Sequence, residues 1–257
     1  KPQTKGNAMS TNPAVEKAVA YLNSNASRFR DELFDLLRIP SISAQKEHGP
    51  DVRKAAEWMK NRLITAGMKA EIVETAGWPA VLGEGEQKPG RPTILVYGHY
   101  DVQPEGDLKL WHTGPFEPIV KDGMMICRGS ADDKGQAMCA ILAAEAWMKT
   151  SGSLPINIKF CLEGEEEVGS PNLAPLIKKY KDRLACDYVV IHDTARTARC
   201  ARASGRPRAA RRGPSREGAR HRKLRDPLRG SGRAPAQRAR AGARDGAPAL
   251  GRAHAPG

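Results

Sequence analysis

Apolar residues recur at helical spacing at Val15, Val19, Leu22, Phe29, Leu33, Leu36 and Leu37. They predict amphipathic helix up to Ile39-Pro40, opened by Asn12 as N-cap with Pro13 in the first helical position. A second helix is predicted from Pro50, with Ala55, Trp58, Met59, Leu63 and Ile64 turned inward and Gly67 at its end. The period then changes. Met68 to Glu74 alternates weakly, Ala80 to Leu82 reads as a short strand, and Gly83 to Pro92 as a turn. After Thr93, the four consecutive apolar residues Ile94-Leu95-Val96-Tyr97 predict a strand covered on both faces and stopped by a turn at Gly98. A hairpin is expected around Asp122-Gly123, between Ile119–Lys121 and Met124–Cys127. Met138, Ile141, Leu142, Glu145 and Trp147 mark a helix ending near Gly152, and Ile156 to Leu162 another strand. A helix opened by Ser170-Pro171 carries Leu173, Leu176 and Ile177, and Tyr188 to Ile191 is a final strand ending at His192-Asp193. The order β-α-β-α-β predicts an α/β fold, a mixed, largely parallel sheet flanked by helices with right-handed crossovers.

Composition divides the chain. From Ala195 to Gly257, 48 of 63 residues are Arg, Ala, Gly or Pro, 17 of them Arg, and the only large apolar side chains are Leu224, Leu228 and Leu250. Such a segment buries too little surface to offset its ordering entropy, so an unstructured tail is expected. Its net charge is +15 against +13 for the whole chain, which leaves −2 for residues 1–194. The body therefore has no charge-based case for binding nucleic acid or a membrane. The five cysteines, Cys127, Cys139, Cys161, Cys186 and Cys200, are scattered without a C-x-x-C pair, which favours free thiols and a reducing, cytoplasmic compartment. No run approaches a membrane span. Residues 1–12 read as a tag remnant and disordered start, with a natural start at Met9.

Candidate chemistry gathers where apolar strands end. His99 and Asp101 follow the strand at 93–97, Asp132 and Asp133 precede a helix, Glu165-Glu166-Glu167 follows the strand at 156–162 between two glycines, and Asp193 follows the last strand. In α/β sheets ligands sit beyond the carboxyl ends of the strands. Taken singly, each residue has a plainer reading: a strand-end histidine satisfied within the fold, an aspartate compensating a helix dipole, a solvated acidic run. Taken together, one imidazole and several carboxylates on one sheet edge suit divalent ions that share a bridging carboxylate and activate a water.

The runs Gly98-His99-Tyr100-Asp101-Val102-Gln103-Pro104, Pro115-Phe116-Glu117-Pro118, Arg128-Gly129-Ser130-Ala131-Asp132-Asp133-Lys134-Gly135 and Leu162-Glu163-Gly164-Glu165-Glu166-Glu167-Val168-Gly169-Ser170 resemble the di-zinc peptidase family of carnosinases, cytosolic non-specific dipeptidases and related aminoacylases. The resemblance covers residues 13–194 and implies part of a catalytic domain that hydrolyses dipeptides with a metal-activated water. It implies two divalent metal ions, zinc first, with manganese or cobalt as alternatives. By that resemblance His99, Asp132, Glu167 and Asp193 are metal ligands, Asp132 bridging. Asp101 orients His99, and Glu166 is the general base. It further implies a small peptide substrate, a lid domain that mediates homodimerisation and a distal metal-binding histidine. His221 and His254 lack the setting for that histidine. The family pattern stops near His192, and the Arg/Ala-rich composition of 195–257 is what a GC-rich gene gives when read out of frame. Two alternatives stand beside dipeptide hydrolysis: deacylation of N-acyl amino acids, and an inactive hydrolase-like body whose basic tail binds nucleic acid non-specifically.

Overall fold

The computed structural model describes residues 12–193. Residues 1–11 and 194–257 lie outside the described residues, and with them all but Asn12 of the tag remnant and disordered start expected at 1–12 and the out-of-frame, disordered tail expected at 195–257.

Two helices, α1 (Pro13–Ser24) and α2 (Ala26–Leu37), occupy the stretch that the apolar period reads as continuous. Asn12 caps α1 as expected, its side chain accepting the Ala14 N–H at 2.9 Å. The break falls at Asn25, whose side-chain amide donates to the Tyr21 carbonyl at 2.9 Å. Its backbone leaves the helical region at φ −107°, ψ 10°. Asparagine competes with the helix for its own carbonyls in this way, and periodicity is blind to it. Next come α3 (Gly49–Thr65), β1 (Lys69–Val73), β2 (Ala80–Glu84), β3 (Thr93–His99) and the hairpin of β4 (Ile119–Lys121) and β5 (Met124–Ile126). They are followed by α4 (Lys134–Ser151), β6 (Asn157–Glu163), α5 (Leu173–Lys179), α6 (Lys181–Leu184) and β7 (Tyr188–Ile191).

The five-stranded sheet runs β1-β2-β6-β3-β7. β6, β3 and β7 are parallel, β2 pairs antiparallel with β6, and β1 pairs antiparallel with β2 at the edge. Alternation along each strand fills two faces. Phe160 and Leu162 of β6 point into a core with Leu36, Met59, Leu63, Ile141 and Ala144 from α2, α3 and α4. Cys161 points the other way, to Leu82, Leu176 and Leu184 beneath α5 and α6.

β3 departs from expectation twice. It does not stop in a turn at Gly98 but runs through it to His99. The glycine is there because α4 begins so close: a Cβ at position 98 would lie 2.6 Å from Asp133 Oδ2. Nor is β3 buried throughout. Val96, Gly98 and His99 are buried and the other four residues are half-buried, because its neighbour β7 is a four-residue edge strand with Tyr188, Val189 and Ile191 exposed.

Register decides what meets at the sheet edge. His99 pairs with Glu163 across β3 and β6, so the acidic loop begins beside the histidine. Tyr97 pairs with Ile191 across β3 and β7, which brings Asp193, two residues on, level with His99. Three parallel strands thus deliver a histidine, a glutamate run and an aspartate to one edge.

Candidate metal centre

His99 is fully buried and its two ring nitrogens face different groups. Nδ1 lies 3.1 Å from the Asp101 carbonyl and 3.4 Å from Asp101 Oδ1. Nε2 lies 3.1 Å from Asp132 Oδ1 and 3.9 Å from Glu166 Oε2. Two three-residue groups, His99–Asp132–Glu167 and His99–Glu166–Asp193, each bring their ligating atoms within 4.8 Å of one another. The six residues singled out in the sequence, His99, Asp101, Asp132, Glu166, Glu167 and Asp193, therefore converge. Asp132 does not cap α4. The cap position is Asp133, which makes no side-chain capping bond, while Asp132 faces the imidazole.

Asp101 does more than orient the ring. Its buried carboxylate accepts the backbone N–H of Glu166 at 3.3 Å and of Glu167 at 3.1 Å, so one side chain ties the histidine to the acidic loop. The loop's ends are pinned separately. The Glu163 carboxylate accepts the Tyr97 hydroxyl at 2.5 Å and the Ser170 hydroxyl at 2.9 Å. Burial drives the Glu163 carboxyl above its usual range, against the pull of those two donors.

Electrostatics fit a cation at the centre. Burial opposes a charged imidazole, yet the carboxylates of Asp101, Asp133 and Glu166 overcome it and lift His99 to about 10. A proton there answers the surrounding negative charge. Glu166 is pushed up by burial and then by Glu167, Asp193 and Asp101, against the pull of His99. Glu167 is pushed up by burial and by Asp132 and Asp101, against Gln103 and His99. Carboxylates that destabilise one another's charge beside an imidazole are a donor set that a divalent ion satisfies, and nitrogen with oxygen donors suits zinc or its neighbours.

Sequence reasoning assigns no role to three supporting residues. Asp133 is buried, and its Oδ2 accepts the His99 backbone N–H at 3.2 Å. Lys134 is fully buried, donating to the carbonyls of Ile39 at 2.7 Å and Leu36 at 3.3 Å, which ties the start of α4 to the end of α2. Gln103 reaches Glu167 from the far side of the loop. The one signal available for Gln103 is spacing: positions 99, 101 and 103 share a side of an extended segment.

Residues 95–200 match the peptidase family M20/M25/M40. The chain carries a peptidase M20 domain. Over 168 residues it is 36% identical to human Beta-Ala-His dipeptidase, a match covering 65% of this chain and 32% of that protein. Over 194 residues it is 32% identical to Cys-Gly metallodipeptidase dug1 of Schizosaccharomyces pombe, covering 70% of this chain and 41% of that one. Among solved structures, human carnosine dipeptidase 1 superposes with a TM-score of 0.66 at 32% identity, over 70% of this chain and 41% of that chain. Dug1p from Saccharomyces cerevisiae superposes with a TM-score of 0.64 at 31% identity, over 69% and 40%. The mixed sheet flanked by helices is thus an M20 peptidase fold, and the chain spans about a third to two-fifths of the length of these relatives. Among the described residues of this M20 domain, no helix is long and apolar enough to cross a membrane.

Proposed function

We propose that the M20 domain of this chain serves metal-dependent hydrolysis of dipeptides, with His99, Asp132, Glu167 and Asp193 as ligands of two divalent ions, zinc by preference. The observation that carries this reading is that the ligating atoms of His99, Asp132 and Glu167, and likewise those of His99, Glu166 and Asp193, lie within 4.8 Å of one another, which gathers the four ligands and the base around one buried imidazole. The names of the relatives, Beta-Ala-His dipeptidase and Cys-Gly metallodipeptidase, support a dipeptide as substrate.

Asp132 faces His99 Nε2 from the start of α4, and in this proposal it is the shared ligand. Bound ions would supply an acidic water and a polarised scissile carbonyl. Glu166 takes the proton. Its carboxylate is half-buried, lies 3.9 Å from His99 Nε2 and has a basicity raised by burial, which suits a group that accepts a proton and later returns it to the leaving amine. Asp101 fixes the backbone on which Glu166 and Glu167 stand, so base and ligand keep their separation. Assembly as a homodimer and residence in the cytoplasm complete the proposal.

Zinc binding to the full chain, measured by competition with a chromophoric chelator, and hydrolysis of Cys-Gly or β-Ala-His in the zinc-loaded protein test this reading. Glu166→Gln is expected to retain zinc and to lose at least a hundredfold in turnover, within the usual span for a general base. A wild-type chain that binds no zinc, or a Glu166→Gln variant with undiminished turnover, refutes it.

A further inference from the structure

From His99 to Gln103 the chain is extended, and its residues alternate between two environments. Tyr100 and Val102 are fully buried. Tyr100 gives its hydroxyl to the Pro79 carbonyl. The backbone around Val102 is held by Ser41, whose carbonyl accepts the Val102 N–H at 3.0 Å. The Ser41 hydroxyl donates to the Tyr100 carbonyl at 2.6 Å. His99, Asp101 and Gln103 take the opposite side, toward the acidic loop. His99 and Asp101 are accounted for by the centre itself; Gln103 is not.

Gln103 makes three hydrogen bonds to a single residue. Its backbone N–H donates to Glu167 Oε1 at 3.2 Å. Its side-chain amide donates to Glu167 Oε2 at 2.8 Å and to the Glu167 carbonyl at 3.1 Å. A glutamate has three side-chain torsions to fix before its carboxylate can serve as a ligand, and the Gln103 contacts fix them in advance.

We infer that Gln103 is a positioning residue for Glu167: it holds that carboxylate turned toward His99 and Asp132 and so sets metal affinity at the Glu167 position without touching the ion. The inference rests on the metal-centre reading above. It assigns Gln103 no part in the chemistry, and it separates the two three-residue groups, because Gln103 contacts Glu167 and not Glu166 or Asp193 among the bonds described.

The test is zinc affinity of the full chain by chelator competition, with cobalt absorption as a second report on the ligand set. Gln103→Met keeps the length and the backbone N–H and removes the amide donor. Gln103 is exposed, so the variant is expected to melt with the wild type when metal-free. Zinc binding at the Glu167 position is expected to weaken about tenfold, the low end for residues that orient metal ligands. Gln103→Glu, which sets a carboxylate against Glu167, is expected to weaken it further. In a Glu167→Gln background, Gln103→Met is expected to add nothing. Wild-type affinity in Gln103→Met, or an equal loss with Glu167 already replaced, overturns the inference while leaving the metal centre standing. Absence of zinc binding by the wild-type chain overturns both.

Discussion

Replacing Glu145 by glutamine removes one negative charge from the middle of α4 and leaves the volume almost unchanged. The Glu145 carboxylate is 2% exposed and accepts the Tyr21 hydroxyl at 2.7 Å, Arg28 Nη2 at 2.5 Å and Arg62 Nη2, linking α1, α2 and α3 to α4. The magnitude turns on which partner loses most. Arg28 is 38% exposed, so its share is that of a surface pair, below about 1 kcal/mol. Arg62 is 5% exposed and keeps only Glu32, at 2.9 Å, as a charged partner. Breaking a buried pair by removing one member costs about 3–5 kcal/mol, and the remaining Glu32 contact places this case near 3. For a domain of this size that lowers the melting temperature by about 6–12 °C. The assay is thermal and urea unfolding of the metal-free chain followed by far-ultraviolet circular dichroism. The pH dependence is a second readout. Burial raises the Glu145 carboxyl, but the donors from Tyr21, Arg28 and Arg62 hold it below its ordinary 4.5. Its contribution is therefore present above about pH 4.5 and lost as pH falls through the lowered folded value, so the gap between wild type and variant closes on acidification. A loss under about 1 kcal/mol at pH 7 would refute the reasoning, as would a gap that stays constant down to pH 3. Replacing both members, Arg62→Met with Glu145→Leu, is expected to recover most of the stability, because apolar pairs of similar volume substitute well for buried ion pairs.

Gly98→Ala forces a methyl group against Asp133 Oδ2; it is expected to cost about 1–3 kcal/mol in urea unfolding and to weaken zinc binding by disturbing the bond from Asp133 to the His99 backbone. Equal stability and affinity in that variant would show that the start of α4 can retreat from β3. Lys134 is held down to about 7 by burial, against an ordinary 10.5. The unfolded chain therefore binds more protons between those values, and stability from this group rises with pH across the window by up to about 1.4 kcal/mol per pH unit. Lys134→Met is expected to remove that rise, as unfolding midpoints at pH 7 and pH 9.5 would show; an unchanged slope counts against a neutral lysine in the folded state.

The parts of the site legible in the sequence are those where a strand ends in a ligand type. His99, Glu166 and Asp193 each follow an apolar run, and parallel neighbours bring such ends together whatever the strand order. Asp132 is ambiguous from sequence because a helix start favours acids with or without a metal nearby. Distance to His99 settles its direction, and distance is not a property of one segment. Gly98 is read wrongly for a related reason: glycine signals a turn locally, whereas here it answers to Asp133, thirty-five residues on. The antiparallel pairing of β2 with β6, and of β1 with β2, follows from long-range contacts that no local pattern encodes. Glu145 is the converse case. A charge in the apolar stripe of α4 is visible at once, but its partners lie on three other helices.

The two-sided run from His99 to Gln103 constrains how this domain can vary. A slip of one residue against Ser41 would turn Asp101 into the core and the Val102 side chain toward the acidic loop, burying an unpaired carboxylate at a cost of several kcal/mol while stripping the loop of its anchor. Misregistered chains would thus be unstable and without function at once, so no long-lived folded form with a scrambled centre competes with the native one. Insertions between 99 and 103 should abolish folding and metal binding together, whereas the exposed stretch from Gly106 to Leu110 has room to lengthen.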